Sequence, residues 1–256
     1  MYTKYLEKAL AWARAAGEIQ LDMFRRPSLE QHTKQNLFDV VTKADKESER
    51  LIVNNILESF PDHSILAEES GRSGAEDSEW LWVIDPLDGT TNYSQGLPAF
   101  CVSIALRHKG VTVVGVVYAP YLGEMFSAMK GEGAFLNGRR IQVSGKHELP
   151  TMVLATGMPY DKGVCPDNNL NEISALAPRV RGIRRMGSAA IDLCYTAAGF
   201  FDAYWELNLN PWDVEAGALM VTEAGGIVVP IREDRNVSVA AGSRESLDEV
   251  MNFLKR

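Results

Sequence analysis

The stretch Trp80-Leu81-Trp82-Val83-Ile84-Asp85-Pro86-Leu87-Asp88-Gly89-Thr90-Thr91-Asn92 constrains the chain more than any other. A near-continuous apolar run of strand length ends directly in a carboxylate, and a second carboxylate follows three residues later. Pro86 stiffens the link and Gly89 permits a sharp turn. Such a turn can aim Asp85 and Asp88 at one point, with the Leu87 carbonyl between them. Hard cations such as Mg²⁺ take oxygen ligands of this kind. If Gly89 to Thr91 opens a short helix, its free N–H groups face the same point and favour an anion. Metal ions and a phosphate could then sit side by side. The alternative is that both acids only cap the helix and shape the turn.

Around this turn, helices and strands mix without a βαβ rhythm. Residues 3–26 read as an amphipathic helix ended by Pro27, with Leu6, Ala9, Leu10, Ala13, Ala16, Met23 and Phe24 near one face. Residues 39–42 read as a short extended piece, and Thr42-Lys43-Ala44-Asp45 as a capping box with Asp in the usual Glu position. The helix so opened stops before Pro61. Strands are predicted at 63–67, 80–84, 100–107, 111–119 and 124–130, and Asn137-Gly138 signals a hairpin. A second half follows, with strands at 153–155, 182–186, 202–206, 226–229 and 237–241. Its helices are expected at 169–176, 188–198, 212–224 and 245–255. The pattern predicts an α+β layered sandwich rather than a doubly wound sheet. The expected division is an N-terminal lobe over 1–148 and a C-terminal lobe over 149–256.

Composition narrows the function classes. The 256 residues carry 34 Asp and Glu against 26 Lys and Arg, a formal charge of −8, which argues against nucleic acid as the main ligand. Acidity has two readings: solubility, or carboxylates gathered to hold cations. No stretch approaches a membrane span, and the N-terminus lacks the apolar core of a secretory signal. The three cysteines (Cys101, Cys165, Cys194) are odd in number, form no CxxC and read as free thiols of a reducing compartment, so a cytoplasmic protein is expected. The four histidines show no metal-ligand spacing. Two further acidic signals, Glu68-Glu69-Ser70 after a strand and Asn210-Pro211-Trp212-Asp213 at a helix start, are weak alone. Together with Asp85 and Asp88 they supply the oxygens of a two-metal site for displacement at phosphorus.

These segments resemble the inositol monophosphatase family of lithium-sensitive, magnesium-dependent phosphatases. The likeness rests on Glu68-Glu69-Ser70, on Asp85 to Asn92 and on Trp212-Asp213-Val214-Glu215-Ala216-Gly217, in the family's order and spacing. Thr222 to Gly226, Asp39 to Asp45 and Gly187-Ser188-Ala189-Ala190 support it. The resemblance implies an αβαβα sandwich like that of fructose-1,6-bisphosphatase, often a homodimer, with two or three Mg²⁺ ions. It implies Glu68, Asp85 and the Leu87 carbonyl for the first ion, and Asp85, Asp88 and Asp213 for the second. Thr90, helped by Glu68 or Asp45, would orient the attacking water. Gly89, Thr90 and Thr91 would bind phosphate. Asp88, Gly187, Ser188, Ala189 and Glu206 would line the sugar-like ring, with Lys34 on a loop near the metals. Hydrolysis would proceed through activated water with no covalent enzyme intermediate.

The alcohol half is less constrained. Glu206 and Gly187-Ser188-Ala189 favour a polyol monophosphate such as myo-inositol 1-phosphate. Arg184 or Arg185 could serve a second phosphate, as in fructose 1,6-bisphosphate or adenosine 3′,5′-bisphosphate, and relatives also cleave histidinol phosphate. Adjacent strand residues point to opposite faces, so at most one of the two arginines faces the cleft. The expected partner is a small phosphorylated polyol, with no nucleic acid and no membrane. A catalytically idle regulatory protein on this fold would lack a metal carboxylate; none is missing here.

Overall fold

The computed structural model describes residues 2–26, 31–33 and 40–254. Lys34, Pro27 and Asp39 lie outside the described residues. In chain order the elements are α1 (Thr3–Met23), β1 (Gln31–Thr33), β2 (Val40–Thr42), α2 (Lys43–Ser59), β3 (Ser64–Ala67), β4 (Gly71–Gly74), β5 (Trp80–Asp88) and α3 (Thr90–Ser94). Then come β6 (Cys101–His108), β7 (Val111–Ala119), β8 (Glu124–Met129), β9 (Gly133–Leu136) and β10 (Arg139–Arg140). A 3₁₀ turn (Leu149–Thr151) leads to β11 (Val153–Thr156), α4 (Leu170–Leu176), β12 (Gly182–Arg184), α5 (Ala189–Ala197) and β13 (Ala203–Leu209). The chain closes with α6 (Pro211–Glu223), β14 (Ile227–Pro230), β15 (Val237–Gly242) and α7 (Arg244–Leu254).

An eight-stranded sheet runs in the order β10-β9-β8-β7-β6-β5-β3-β4, and a five-stranded sheet in the order β12-β11-β13-β15-β14. The first is antiparallel except between β3 and β5; in the second, β11 runs parallel to both β12 and β13. Side-chain alternation explains how these stack. In β5, Trp82 and Ile84 join the apolar cluster under α1 and α2, while Val83 joins the cluster around α5 and α6. In β13, Tyr204 faces α5 and α6, while Ala203 and Trp205 pack with Leu176, Leu247 and Val250 from α4 and α7. Each sheet is thus apolar on both faces, and period-2 alternation sorts its residues into two cores. The result is five layers: α1 and α2, the large sheet, α5 and α6, the small sheet, α4 and α7. The expected α+β sandwich of type αβαβα is the observed one.

Boundaries differ where packing overrides local pattern. The strand predicted at 80–84 continues to Asp88, because its ladder with β6 resumes at Asp88↔Cys101 after Asp85↔Ser103. The strand predicted at 202–206 extends to Leu209, and that at 182–186 ends at Arg184. β4, with sequence Gly-Arg-Ser-Gly, was not expected; it has no apolar alternation and forms by pairing on β3. The capping box at Thr42 is present, with Asp45 reaching back to the Thr42 N–H at 2.9 Å. Cys101 and Cys194 are buried free thiols and Cys165 is partly exposed. Among the described residues no helix is long and apolar enough to cross a membrane.

Candidate active site

The site forms where β5 ends, and one irregularity decides its geometry. Three steps along β5, from Asp85 to Asp88, match two along β6, from Ser103 to Cys101. This one-residue bulge reverses the alternation of the strand. Asp85 shares the parity of Val83 and so faces the α5–α6 layer. Without the bulge Asp88 would face the opposite side; with it, both acids face the same cleft. Leu87 goes to the other face and packs with Ala44, Tyr93 and Phe100. The turn is fastened from several directions. The Leu87 N–H donates to Asp85 Oδ1 at 2.9 Å, and Gln20 Nε2 of α1 donates to the Pro86 carbonyl at 2.7 Å. Gly89 takes φ +94°, and a Cβ there would meet the Ala99 carbonyl at 2.8 Å.

The cleft is lined by Glu68, Asp85, Leu87, Asp88, Gly89 and Thr90 from the large-sheet side. Gly187, Ser188, Ala189, Glu206 and Asp213 face them from the second half of the chain. Asp88 bridges the two. Its Oδ2 accepts from Ser188 Oγ and from the Ala190 N–H, each at 2.7 Å, at the start of α5. Asp213 sits in the first turn of α6 and accepts from the Asn210 N–H at 2.7 Å. Thr90 Oγ1 lies 2.9 Å from Asp45 Oδ1 and 3.0 Å from the Leu87 carbonyl. Glu206 Oε2 accepts from Tyr204 Oη at 2.8 Å, both on the same face of β13.

Electrostatics mark the cluster as strained for charge. Burial, then the charges of Glu68, Asp88 and Asp213, holds the Asp85 carboxyl well above the usual range. Burial likewise raises Asp213, with Asp88 adding repulsion. Asp88 is pushed up to about 6 by burial, against the lowering effect of its Ser188 and Ala190 bonds. Asp45 is pushed up to about 6 by burial, and Glu206 to about 7 by the same cause. These oxygens are the donors a hard cation takes, and opposing charge would relieve their repulsion. They do not close into a cage by themselves. Among the described residues, no three His, Cys, Asp or Glu stand as a ready ligand group. Asp85, Asp88 and Asp213 each commit one oxygen to a nearby donor.

Several expected residues fall elsewhere. Thr91 is exposed and does not line the cleft, because one helical step turns it about 100° from Thr90. Arg184 is a correction. It is exposed and its Nη1 folds back to the Ile183 carbonyl at 3.2 Å, whereas Arg185, just past the strand end, lines the cleft. Glu69 does not line the cleft; its N–H donates to Glu49 Oε2 at 2.8 Å on the α2 side. Sequence reasoning missed Met158, Pro159 and Tyr160 on the cleft wall, and Tyr204 behind Glu206. The period-2 spacing of Tyr204 and Glu206 was the available signal for the latter.

Fold and cleft define the class: an αβαβα sandwich with an acid-lined cleft where its two halves meet. The sequence profile of the inositol monophosphatase family matches residues 1–252, and the chain belongs to that family. Nus factor SuhB of Pasteurella multocida is 47% identical over 223 residues, 87% of this chain and 84% of the relative. The suhB extragenic suppressor protein of Bartonella henselae superposes with TM-score 0.92 at 39% identity, covering 99% of each chain. Inositol monophosphatase of Anabaena (Nostoc) sp. PCC 7120 gives TM-score 0.87 at 42% identity, covering 98% of this chain and 95% of that one. The family supports a phosphatase. The name Nus factor fits poorly with the expectation of a small-molecule partner and no nucleic acid.

Proposed function

We propose that this protein is a magnesium-dependent phosphomonoester hydrolase that acts on a small phosphorylated polyol, with myo-inositol 1-phosphate as the first substrate to try. The observation that carries the reading is the set Asp85, Asp88, Asp213 and Glu68 gathered on one cleft, facing a threonine already held by Asp45. Glu68, Asp85, Asp88, Asp213 and the Leu87 carbonyl would hold two or three Mg²⁺ ions. Magnesium supplies charge neutralisation for the phosphoryl oxygens and lowers the pKa of water in its shell.

The protein's own groups do the rest. Thr90 has one hydroxyl proton; given to Asp45, it leaves the Oγ1 lone pairs to accept from water and fix that water's orientation. Asp45, poised near neutrality, can take up the proton passed through Thr90. Gly89 and Thr90, which line the cleft, would bind the phosphoryl group. Tyr204 occupies one oxygen of Glu206, leaving the other for a ring hydroxyl. Phosphoryl transfer needs positioning and charge compensation more than a covalent partner, and the cleft is built for both.

Fructose 1,6-bisphosphate, adenosine 3′,5′-bisphosphate and histidinol phosphate are the alternatives, and Arg185 is the residue that would favour a second phosphate. Phosphate release across these four esters with Mg²⁺, then with added Li⁺, tests the reading. The expected result is release that Li⁺ suppresses; no release from any small ester overturns it. A second reading draws on the relatives' name, Nus factor SuhB: a role with a macromolecular partner of the transcription machinery. Retention of every cleft acid favours catalysis beside that role, and Asp85→Asn would separate the two by removing turnover alone.

A further inference from the structure

Residues 157–169 join β11 to α4 and carry Met158, Pro159 and Tyr160 along the cleft beside Glu206. The base of this loop is pinned by Asn169, which is fully buried. Its Nδ2 donates to Thr156 Oγ1 at 2.7 Å and to the Gly157 carbonyl at 2.5 Å, and Trp205 Nε1 donates to its Oδ1 at 2.5 Å. The middle of the loop is solvent-facing, with Val164 88% exposed and Tyr160 56% exposed. What holds it there is charge from the turn 231–236, between β14 and β15.

Arg235 Nη2 donates to Asp161 Oδ1 and Oδ2 at 2.9 and 2.7 Å, and its Nη1 donates to the Asp167 carbonyl. Arg232 donates Nε to Asp167 Oδ2 at 2.9 Å and Nη2 to Glu172 Oε1 at 3.2 Å. Its Nη1 is anchored on the Ile231 and Leu254 carbonyls at 2.9 and 2.8 Å. The arginine side chains are only 10% and 11% exposed. A planar guanidinium held by two oxygens and shielded from water is directional, unlike a solvated surface pair. The same turn also reaches α6, where Asn236 Nδ2 donates to Asn210 Oδ1 at 3.0 Å.

We propose that Arg235, seconded by Arg232, is a positioning residue that clamps loop 157–169, so that Met158 to Tyr160 form a fixed wall against the alcohol part of the substrate. The β14–β15 turn is then a remote determinant of which ester the cleft selects. This rests on the phosphomonoesterase reading above, so the test has one arm that does not depend on turnover.

The full chain is compared with Arg235→Gln, Arg235→Lys and, from the loop side, Asp161→Asn. Amide hydrogen exchange over 158–168 reads the clamp. Steady-state kinetics on myo-inositol 1-phosphate and on methyl phosphate, whose alcohol is too short to reach the loop, read selectivity. In Arg235→Gln and Asp161→Asn, exchange over the loop should quicken by at least about tenfold while the sheet amides stay protected. KM for inositol phosphate should rise at least about fivefold with kcat and the methyl phosphate parameters within about twofold, and Arg235→Lys should recover part of both effects. Unchanged loop exchange in both variants overturns the clamp. Faster exchange with unchanged KM, or equal losses on both esters, overturns the selectivity role. If the wild-type chain cleaves neither ester, selectivity is read on whichever of the other three esters it does cleave; release from none of them fails the phosphatase reading, and the exchange arm alone then decides the clamp.

Discussion

At the scale of single residues, Asp85 carries the largest expected effect. It is 2% exposed and lies among Glu68, Asp88 and Asp213, and it is the acid proposed for both metal shells. Asp85→Asn should lower kcat by at least about 10²-fold, the scale of removing one electrostatic stabiliser. Wild-type turnover of that variant at saturating Mg²⁺ would refute the two-metal assignment. Gly157 is a subtler position. A Cβ there would fall 1.8 Å from Glu206 Oε1, so any side chain must displace the carboxylate. Gly157→Ala should therefore raise KM for a polyol phosphate more than it lowers kcat, because Glu206 is assigned to binding rather than to the reacting atoms. A KM unchanged from wild type would show that Glu206 does not touch substrate. Both acids were legible in the sequence as residues. That Gly157 shapes Glu206 was not, because the two are distant in sequence and a glycine carries no apolar signal.

At the scale of elements, α2 links stability to the site. Its N-terminal box ties Thr42 to Asp45, and Asp45 in turn holds Thr90. Thr42→Ala removes the cap, and should cost about 1 kcal/mol of stability, read as a shift of the urea midpoint. It should also lower kcat, since Asp45 loses one of the donors that fix it, the Thr42 hydroxyl; Thr42→Ser should restore both. A midpoint shift with wild-type kcat would mean that Asp45 is held well enough without Thr42. The helix and its box could be read from Thr42-Lys43-Ala44-Asp45, because capping chemistry is local. The β5 bulge could not. Its sequence alternation points Asp85 and Asp88 to opposite faces, and only pairing with β6 inserts the extra residue that turns them together.

At the scale of the whole molecule, the cleft acids come from both halves of the chain, so metal, pH and stability are coupled. Burial pushes Asp45 and Asp88 up to about 6 from 3.8, and Glu206 up to about 7 from 4.5. The folded metal-free protein thus keeps protons that the unfolded chain has already released between about pH 4 and 7. This stabilisation is present below that window and lost as pH rises through it. Cations that bind the ionised acids supply it again. After chelation, Tm should fall between pH 5 and pH 8, and Mg²⁺ should raise Tm more at pH 8 than at pH 5. Equal shifts at both pH values would argue against cation binding by these groups. The sequence by itself determined the strand and helix alternation, the acid turn after Ile84 and the oxygen-only donor set, because these follow from periods of 2 and 3.6 residues and from side-chain chemistry. Only the tertiary structure decided that Ser188 and Ala190 fasten Asp88 from 100 and 102 residues away, that Arg185 rather than Arg184 reaches the cleft, and that Arg235 clasps Asp161. Polar contacts that far apart in sequence leave no periodic trace, and which ones meet is fixed by how the sheets and their connecting loops pack.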